Sequence, residues 1–165
     1  MRLNHPLGKD LVLILLVIST VGCDRITKHL AVRTLADSPS RTYLAQTVRF
    51  EYAENTGAFL SLGADLPSWL RGILFTAGPA IMLFAMAGFA WKYQVRGLAL
   101  SGLGLIAAGG GSNLFDRIVH GSVIDFMNVG IGSLRTGVFN VADVAILAGI
   151  ILFALWGTKK AATVS

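Results

Sequence analysis

The stretch Asn140-Val141-Ala142-Asp143, followed by the uncharged residues 144–158, decides the interpretation of this chain. It puts an amide and a carboxylate into the opening turn of an apolar helix, for which Asn140 is a plausible N-cap. An ionisable side chain at the edge of a hydrocarbon layer costs at least about 2.5 kcal/mol unless it is paired or faces water. The pattern therefore predicts a functional site at the start of a membrane-spanning helix.

The composition is typical of an integral membrane protein. Hydrophobic residues make up 54% of the 165 residues and charged residues 14%, against about 25% charged in an average soluble domain. The mean hydropathy is +0.67. The net charge of +5 forms no basic stripe, so nucleic acid is not an expected partner. The single cysteine, Cys23, excludes an intrachain disulfide and a cysteine-rich metal site.

Four uncharged runs predict a mainly α-helical fold with four transmembrane helices. The runs cover residues 11–23, 72–91, 97–115 and 144–158, and a span needs about 17–25 residues. The outer runs reach this length only by continuing through polar residues, such as Asp24 and Lys28 in the first. We therefore expect a single domain over residues 1–165, with spans at 11–31, 70–91, 97–115 and 140–158 and a kink at Pro79.

Basic residues predict the orientation of these spans. The two tails and the turn between spans two and three carry six basic residues and one acid, whereas the other side carries eight of each. Short basic segments mark a cytoplasmic face. Both termini are therefore expected in the cytoplasm and the loops at 33–69 and 117–139 outside, where residues 41–52 and 119–129 predict a small extracytoplasmic β-sheet.

This topology brings polar residues from three spans together at the outer face. Asp24 and Lys28 have the i,i+4 spacing of an ion pair, and a structural pair is the favoured interpretation. Asn113 and Arg117 have the same spacing on span three, and structural and substrate-orienting roles are both open for them. Gly110 lies in the glycine run at this end, and we expect it to face a substrate groove whose other wall is the outer sheet.

Two carboxylates, Asp125 and Asp143, indicate acid–base chemistry on a molecule that lives in the membrane. As a mere helix cap, Asp143 would contribute about 0.3–1 kcal/mol, which leaves its polar neighbours unexplained. A proton-coupled carrier would also hold acids in its bundle, but with acids reaching the cytoplasmic half of the spans, where none occurs. A lipid-anchored structural protein would instead depend on Cys23, which follows a short apolar run.

Five motifs together resemble lipoprotein signal peptidase, also called signal peptidase II. Each is weak alone, but they stand in the family's order, and the resemblance covers about residues 11–156. They are Asp24-Arg25-Ile26-Thr27-Lys28, Glu54-Asn55-Thr56-Gly57-Ala58-Phe59, Gly109-Gly110-Gly111-Ser112-Asn113-Leu114-Phe115-Asp116-Arg117, Val123-Ile124-Asp125-Phe126 and Phe139-Asn140-Val141-Ala142-Asp143.

The resemblance implies an aspartic endopeptidase of the bacterial inner membrane. Such an enzyme removes the signal peptide from prolipoproteins just before a diacylglyceryl-modified cysteine, so its partners are these prolipoproteins and membrane lipids. No metal and no cofactor are implied, and an inactive paralogue is the alternative. The implied catalytic pair, near the periplasmic face, is Asp125 and Asp143; the implied site-lining residues are Asn55, Gly57, Asn113, Arg117 and Asn140; the implied supporting residues are Asp24, Lys28 and Asp116.

The chain departs from the family pattern in a few places. Arg25 stands where glutamine is usual, and Val144 follows the second aspartate where serine is common. One alanine is missing before the apolar run at residues 57–61. Neither carboxylate is removed, so the departures concern substrate handling or rate more than the chemistry.

Overall fold

The structure is a computed structural model that describes residues 7–58 and 62–162, with side chains over 11–58 and 62–156. Long helices and a small antiparallel sheet make up this part of the chain, so the prediction of a mainly helical fold with a sheet is confirmed. The helices are α1 (Leu7–Leu35), α2 (Ser68–Gly72), α3 (Gly78–Lys92), α4 (Leu98–His120) and α5 (Val141–Ala162), and a π-helical turn, Ile73–Ala77, joins α2 to α3.

The helices extend beyond the predicted spans. Helix α1 continues to Leu35 and α4 to His120, so the loops that follow these helices are shorter than predicted. Helix α4 ends where Gly121 adopts φ +75°, a left-handed conformation that glycine takes without strain. The apolar pattern missed these ends because the last turns carry polar side chains, among them Arg33, Thr34, Arg117 and His120.

Within the described residues, two helical segments are long and apolar enough to cross a membrane, Ser68–Lys92 and Leu98–His120. Val141–Trp156 is a shorter apolar stretch. The first of the two contains Pro79, and the π-helical turn lies directly before it, with the Gly78 N–H bonded to the Ile73 carbonyl. The irregularity thus falls in the turn preceding the proline, and the kink itself stays a prediction.

The sheet lies against the C-terminal end of α1 and brings the segment that ends at Asn55 next to Asp125. Ala31 and Leu35 of α1 form a buried cluster with Phe126 of the sheet. Ala53 stands opposite Asp125 in the register of the central strands. Among the described residues the strand order is β1 (Arg41–Tyr43), β2 (Val48–Asn55), β3 (Val123–Ile131) and β4 (Leu134–Arg135), with antiparallel neighbours.

The turn between β1 and β2 divides a segment that the sequence suggested was continuous. Leu44, Ala45 and Gln46 have φ of +50°, +50° and +67°, although no glycine marks the turn. Arg135 of β4 donates to the carbonyl of Gln46 at 2.9 Å and to that of Thr47 at 3.5 Å. A contact from a distant strand therefore stabilises a backbone conformation that the local sequence does not favour.

Glycines allow α4 to pack closely on α5. A Cβ at Gly102 would meet the backbone of Gly149, and one at Gly109 would meet the carbonyl of Ala142. Contrary to the prediction, Gly110 packs against a neighbouring helix, since a Cβ there would lie 3.2 Å from Leu83. The close helix contact therefore comes from Gly102, Gly109 and Gly149.

Gly111, and not Gly110, has the open face that the sequence predicted for this end of α4. Within the part of the chain that the structure describes, no neighbouring atom lies within 4 Å of a Cβ built at Gly111.

Candidate active site

Asp125 and Asp143 come together where β3 meets the first turn of α5. Asp125 is 3% exposed, and Asp143 is half-buried. The side chain of Asn140 contacts both acids: its Nδ2 donates to Asp125 Oδ1 at 2.7 Å, and its Oδ1 accepts from the Asp143 backbone N–H at 2.9 Å. One amide side chain therefore joins the two predicted catalytic residues.

Asn140 is also the N-cap of α5, as predicted. Besides the bond from the Asp143 N–H to its Oδ1, its own backbone N–H donates to Asp143 Oδ2 at 3.1 Å. This reciprocal pair satisfies two N–H groups that a helix start would leave without partners. The carboxylate of Asp143 is thus held by the same geometry that starts the helix.

Asn113 on α4 holds the other oxygen of Asp143. Its Nδ2 donates to Asp143 Oδ1 at 2.9 Å. Its Oδ1 accepts from Lys28 Nζ at 2.7 Å and from Asn140 Nδ2 at 3.2 Å. Because two donors face the oxygen of Asn113, its nitrogen must be the atom that faces Asp143.

Asn55 at the end of β2 holds the second oxygen of Asp125. Its Nδ2 donates to Asp125 Oδ2 at 3.0 Å and to the Ala58 carbonyl at 3.0 Å, while its Oδ1 accepts from the Gly57 N–H at 3.0 Å. Arg117 Nη2 donates to the Gly57 carbonyl at 2.7 Å. The site-lining residues predicted in this loop therefore bridge the sheet and α4; Phe59, Leu60 and Ser61 lie outside the described residues.

Next to the two acids lies a cluster of charges, the α1–α4 charge cluster, which consists of the buried Asp24, Lys28 and Asp116 and the half-buried Arg25. Lys28 Nζ lies 2.7 Å from Asp24 Oδ2 and 2.8 Å from Asp116 Oδ2, and Arg25 pairs with Asp116 Oδ1. Lys28 is 1% exposed, and Asp24 and Asp116 are fully buried. Buried charges of this kind need partners, because an unpaired one would cost several kcal/mol.

Asp24 connects the charge cluster to α5. Its Oδ1 accepts from the Ala142 backbone N–H at 2.9 Å, and its Oδ2 accepts from Ser112 at 2.7 Å. A carboxylate at a helix N-terminus also interacts favourably with the helix dipole. Asp24, Lys28 and Asp116 thus link α1, α4 and α5 beside the pair, and their supporting role stays a prediction.

Burial raises the pKa of Asp125 to about 6. The negative charge of Asp143 acts in the same direction, whereas hydrogen bonds from Asn55 and Asn140 and the charge of Lys28 pull the pKa down. An acid with a pKa in this range can either give or take a proton near neutral pH. The arrangement is therefore suited to acid–base chemistry.

Arg25 and Ser112 contact the acids of the charge cluster, although the sequence patterns predicted no site role for either. Arg25 was noted as a departure, but its partner Asp116 lies on another helix, so no local spacing revealed the pair. The available signal for Ser112 was its position next to Asn113, which puts a hydroxyl group near the polar end of an apolar helix.

A further clamp was also missed beside Asn55. Tyr52 donates to Glu54 at 2.7 Å, and Ser122 donates to the other Glu54 oxygen at 3.1 Å. Burial, together with Glu54, raises the pKa of Tyr52 to about 12. Glu54 thus ties the end of β2 to the turn after α4.

Known proteins share this fold and sequence pattern. A lipoprotein signal peptidase of Nostoc punctiforme is 34% identical over 140 residues, which is 85% of each chain. One of Xanthomonas euvesicatoria is 30% identical over 156 residues, 93% of this chain and 90% of the relative. A solved bacterial membrane enzyme has the same fold, with a TM-score of 0.79 at 24% identity over 92% of this chain and 90% of its own. A second such structure has a TM-score of 0.74 at 25% identity over 87% and 90%.

The model of the family described as Signal peptidase (SPase) II matches residues 16–158. That range contains both acids, their amide partners and the whole charge cluster. Since the match extends over most of the chain and the relatives align over most of their own length, this protein belongs to the signal peptidase II family of proteases.

Proposed function

We propose that this protein is an aspartic endopeptidase that removes the signal peptide from prolipoproteins, with Asp125 and Asp143 as the catalytic pair. One observation carries the proposal: the side chain of Asn140 bonds to both acids. It donates to Asp125 Oδ1 at 2.7 Å and accepts from the backbone N–H of Asp143 at 2.9 Å. Two acids that a shared amide holds together at the N-terminus of α5 are suited to peptide hydrolysis by an acid–base pair.

We further propose that residues 1–165 form one membrane-embedded peptidase domain in the bacterial inner membrane. In this arrangement α1, the segment Ser68–Lys92, α4 and α5 cross the bilayer, both termini are cytoplasmic, and the sheet lies on the periplasmic side. The distribution of basic residues supports this orientation. The substrate would then meet the pair at the outer surface of the bilayer.

The two carboxylates would act as an acid and a base. Since two nearby carboxylates do not both ionise readily, they share a proton and titrate as a pair. The ionised one takes a proton from a water molecule, and the resulting hydroxide forms a bond to the scissile carbonyl carbon. The protonated one donates to the carbonyl oxygen. As the intermediate collapses, the carbon–nitrogen bond breaks and the leaving nitrogen receives a proton from the pair.

The surrounding amides would keep the pair in the reactive geometry. Asn55, Asn113 and Asn140 each donate to a carboxylate oxygen, which fixes the direction in which the remaining lone pairs face. Arg117 has donors beyond the one on the Gly57 carbonyl, and these would orient the substrate backbone or steady the oxyanion.

The proposed substrate carries a diacylglyceryl-modified cysteine just after the scissile bond. Its acyl chains would remain in the bilayer beside the spans, and the peptide would reach the pair at the interface. The relatives named lipoprotein signal peptidase support this substrate class.

The test is cleavage of a diacylglyceryl-modified prolipoprotein by the purified protein in detergent. Wild type should cleave it, while Asp125→Asn and Asp143→Asn should lose activity by at least about 10³-fold and still purify as folded protein. Asp37→Asn, an exposed loop acid, is the matched control and should cleave normally. A folded wild type without activity would identify an inactive paralogue, and an active Asp143→Asn variant would exclude the proposed pair.

The same prolipoprotein without its diacylglyceryl group tests the substrate class. It should be cleaved much more slowly than the modified form. Equal rates would refute recognition of the lipid while leaving the protease assignment intact.

A further inference from the structure

Lys28 contacts three acceptors at once. Its Nζ forms ion pairs with Asp24 Oδ2 at 2.7 Å and with Asp116 Oδ2 at 2.8 Å, and it donates a hydrogen bond to Asn113 Oδ1 at 2.7 Å. The third bond fixes the amide of Asn113, which donates to Asp143. Lys28 is therefore the link between the charge cluster and the proposed catalytic pair.

One lysine cannot neutralise two buried carboxylates. Asp24 and Asp116 are both fully buried and together carry two negative charges, against the single positive charge of Lys28. Arg25 supplies the second positive charge through its pair with Asp116 Oδ1. Its guanidinium also lies 5.0 Å from the centre of the Phe115 ring, which holds it beside the helix interface. The cluster is neutral only when Arg25 is included.

We propose that Arg25 is a positioning residue for the catalytic pair. It balances Asp116, so that Lys28 remains shared among Asp24, Asp116 and Asn113, and Asn113 remains turned towards Asp143. This inference rests on the proposed function and assigns a role to the position at which the chain departs from the usual glutamine of its family.

Replacing Arg25 with glutamine leaves the cluster with a net charge of −1. The pair then holds its shared proton more tightly, because an uncompensated negative charge lies beyond Asn113. The pH–rate profile of cleavage should move to higher pH by about 0.5–1 unit, with kcat affected more than KM. The charged groups around the pair are Asp24 and Lys28 on α1, Asp116 and Arg117 on α4, and Glu54 next to Asn55.

Charge compensation separates this role from a merely structural one. Asp116→Asn alone leaves the cluster at +1, so its profile should move to lower pH. The double variant Arg25→Gln/Asp116→Asn is neutral again and should return to the wild-type profile. Arg25→Lys keeps the charge and should also resemble wild type.

The experiment measures pH–rate profiles of these four variants and of wild type, with thermal unfolding in detergent as the folding control. Infrared titration of the protonated-carboxyl band follows the pair without requiring activity, so it tests Arg25 even if the prolipoprotein is not cleaved. Opposite shifts of the two single variants, cancelled in the double variant, support the proposal. Unshifted profiles, or shifts of the same sign, overturn it.

The proposal can still be tested if one of the variants does not fold. If Arg25→Gln fails to fold, Asp116→Asn is compared with the double variant, which differs from it only in lacking the charge of Arg25. The pair should then titrate at higher pH in the double variant than in Asp116→Asn. Equal titrations would overturn the role of Arg25, whereas an inactive wild type with the expected titrations would overturn only the proposed function.

Discussion

Asn140 performs two tasks with two different atoms, and a pair of substitutions separates them. Its Oδ1 caps α5 by accepting from the Asp143 N–H at 2.9 Å. Its Nδ2 donates to Asp125 Oδ1 at 2.7 Å. Serine is as good an N-cap as asparagine but has no amide nitrogen, whereas alanine provides neither function. Asn140→Ser should therefore keep the helix start and lose the contact with Asp125.

The magnitudes follow from the contacts. A hydrogen bond to a charged group contributes about 1.5–3 kcal/mol, and each 1.36 kcal/mol is tenfold in rate, so Asn140→Ser should lose roughly 10- to 160-fold in kcat/KM. Asn140→Ala should lose as much activity and, in addition, about 0.5–2 kcal/mol of stability from the missing cap. Serine and alanine leave similar cavities at this fully buried position, so the difference between them isolates the cap.

The assay combines cleavage of the diacylglyceryl-modified prolipoprotein with thermal unfolding in the same detergent. Because the bond from Asn140 lowers the pKa of Asp125, its loss should also raise that pKa further above about 6. The limb of the pH–rate profile that Asp125 controls should move to higher pH in both variants.

Two results would refute this reasoning. Wild-type activity in a folded Asn140→Ser variant would show that the amide contact does not hold a catalytic acid. Equal unfolding temperatures of the serine and alanine variants would show that the cap contributes nothing to stability.

Three further predictions concern Asp125 and the helix contact. The pKa of Asp125 is about 6 in the folded protein, against an ordinary value of 3.8, so the free energy of unfolding should fall as pH rises from about 4 to about 6. Unfolding measured across this pH range should show no such fall in Asp125→Asn. Asn55→Ala removes another bond that lowers the pKa of Asp125, so the same limb of the pH–rate profile should move to higher pH; an unchanged profile would contradict the contact. Gly109→Ala should prevent stable folding because its Cβ would meet the Ala142 carbonyl. Gly111→Ala should unfold like wild type, because its Cβ would meet no described atom within 4 Å.

Local patterns were enough to predict the main elements of the fold and some of the site. Apolar runs predicted the helices, and residues with high β propensity predicted the sheet. The spacing of Asn140 and Asp143 predicted a capped helix start. These features depend on neighbours in sequence, which is why they are visible without a structure. The helix ends after Leu35 and His120 were missed because polar last turns interrupt the apolar signal.

The sequence by itself determined which residue types this protein has available: two acids, three amides and a lysine in motifs that resemble one family. The tertiary structure alone decided how they meet. Asn55, Lys28 and Asn113 contact the pair or its partners across long stretches of chain, and Arg25 finds Asp116 on another helix. Such contacts follow from the packing of α1, α4, α5 and the sheet, because no periodicity within one element specifies a partner on another.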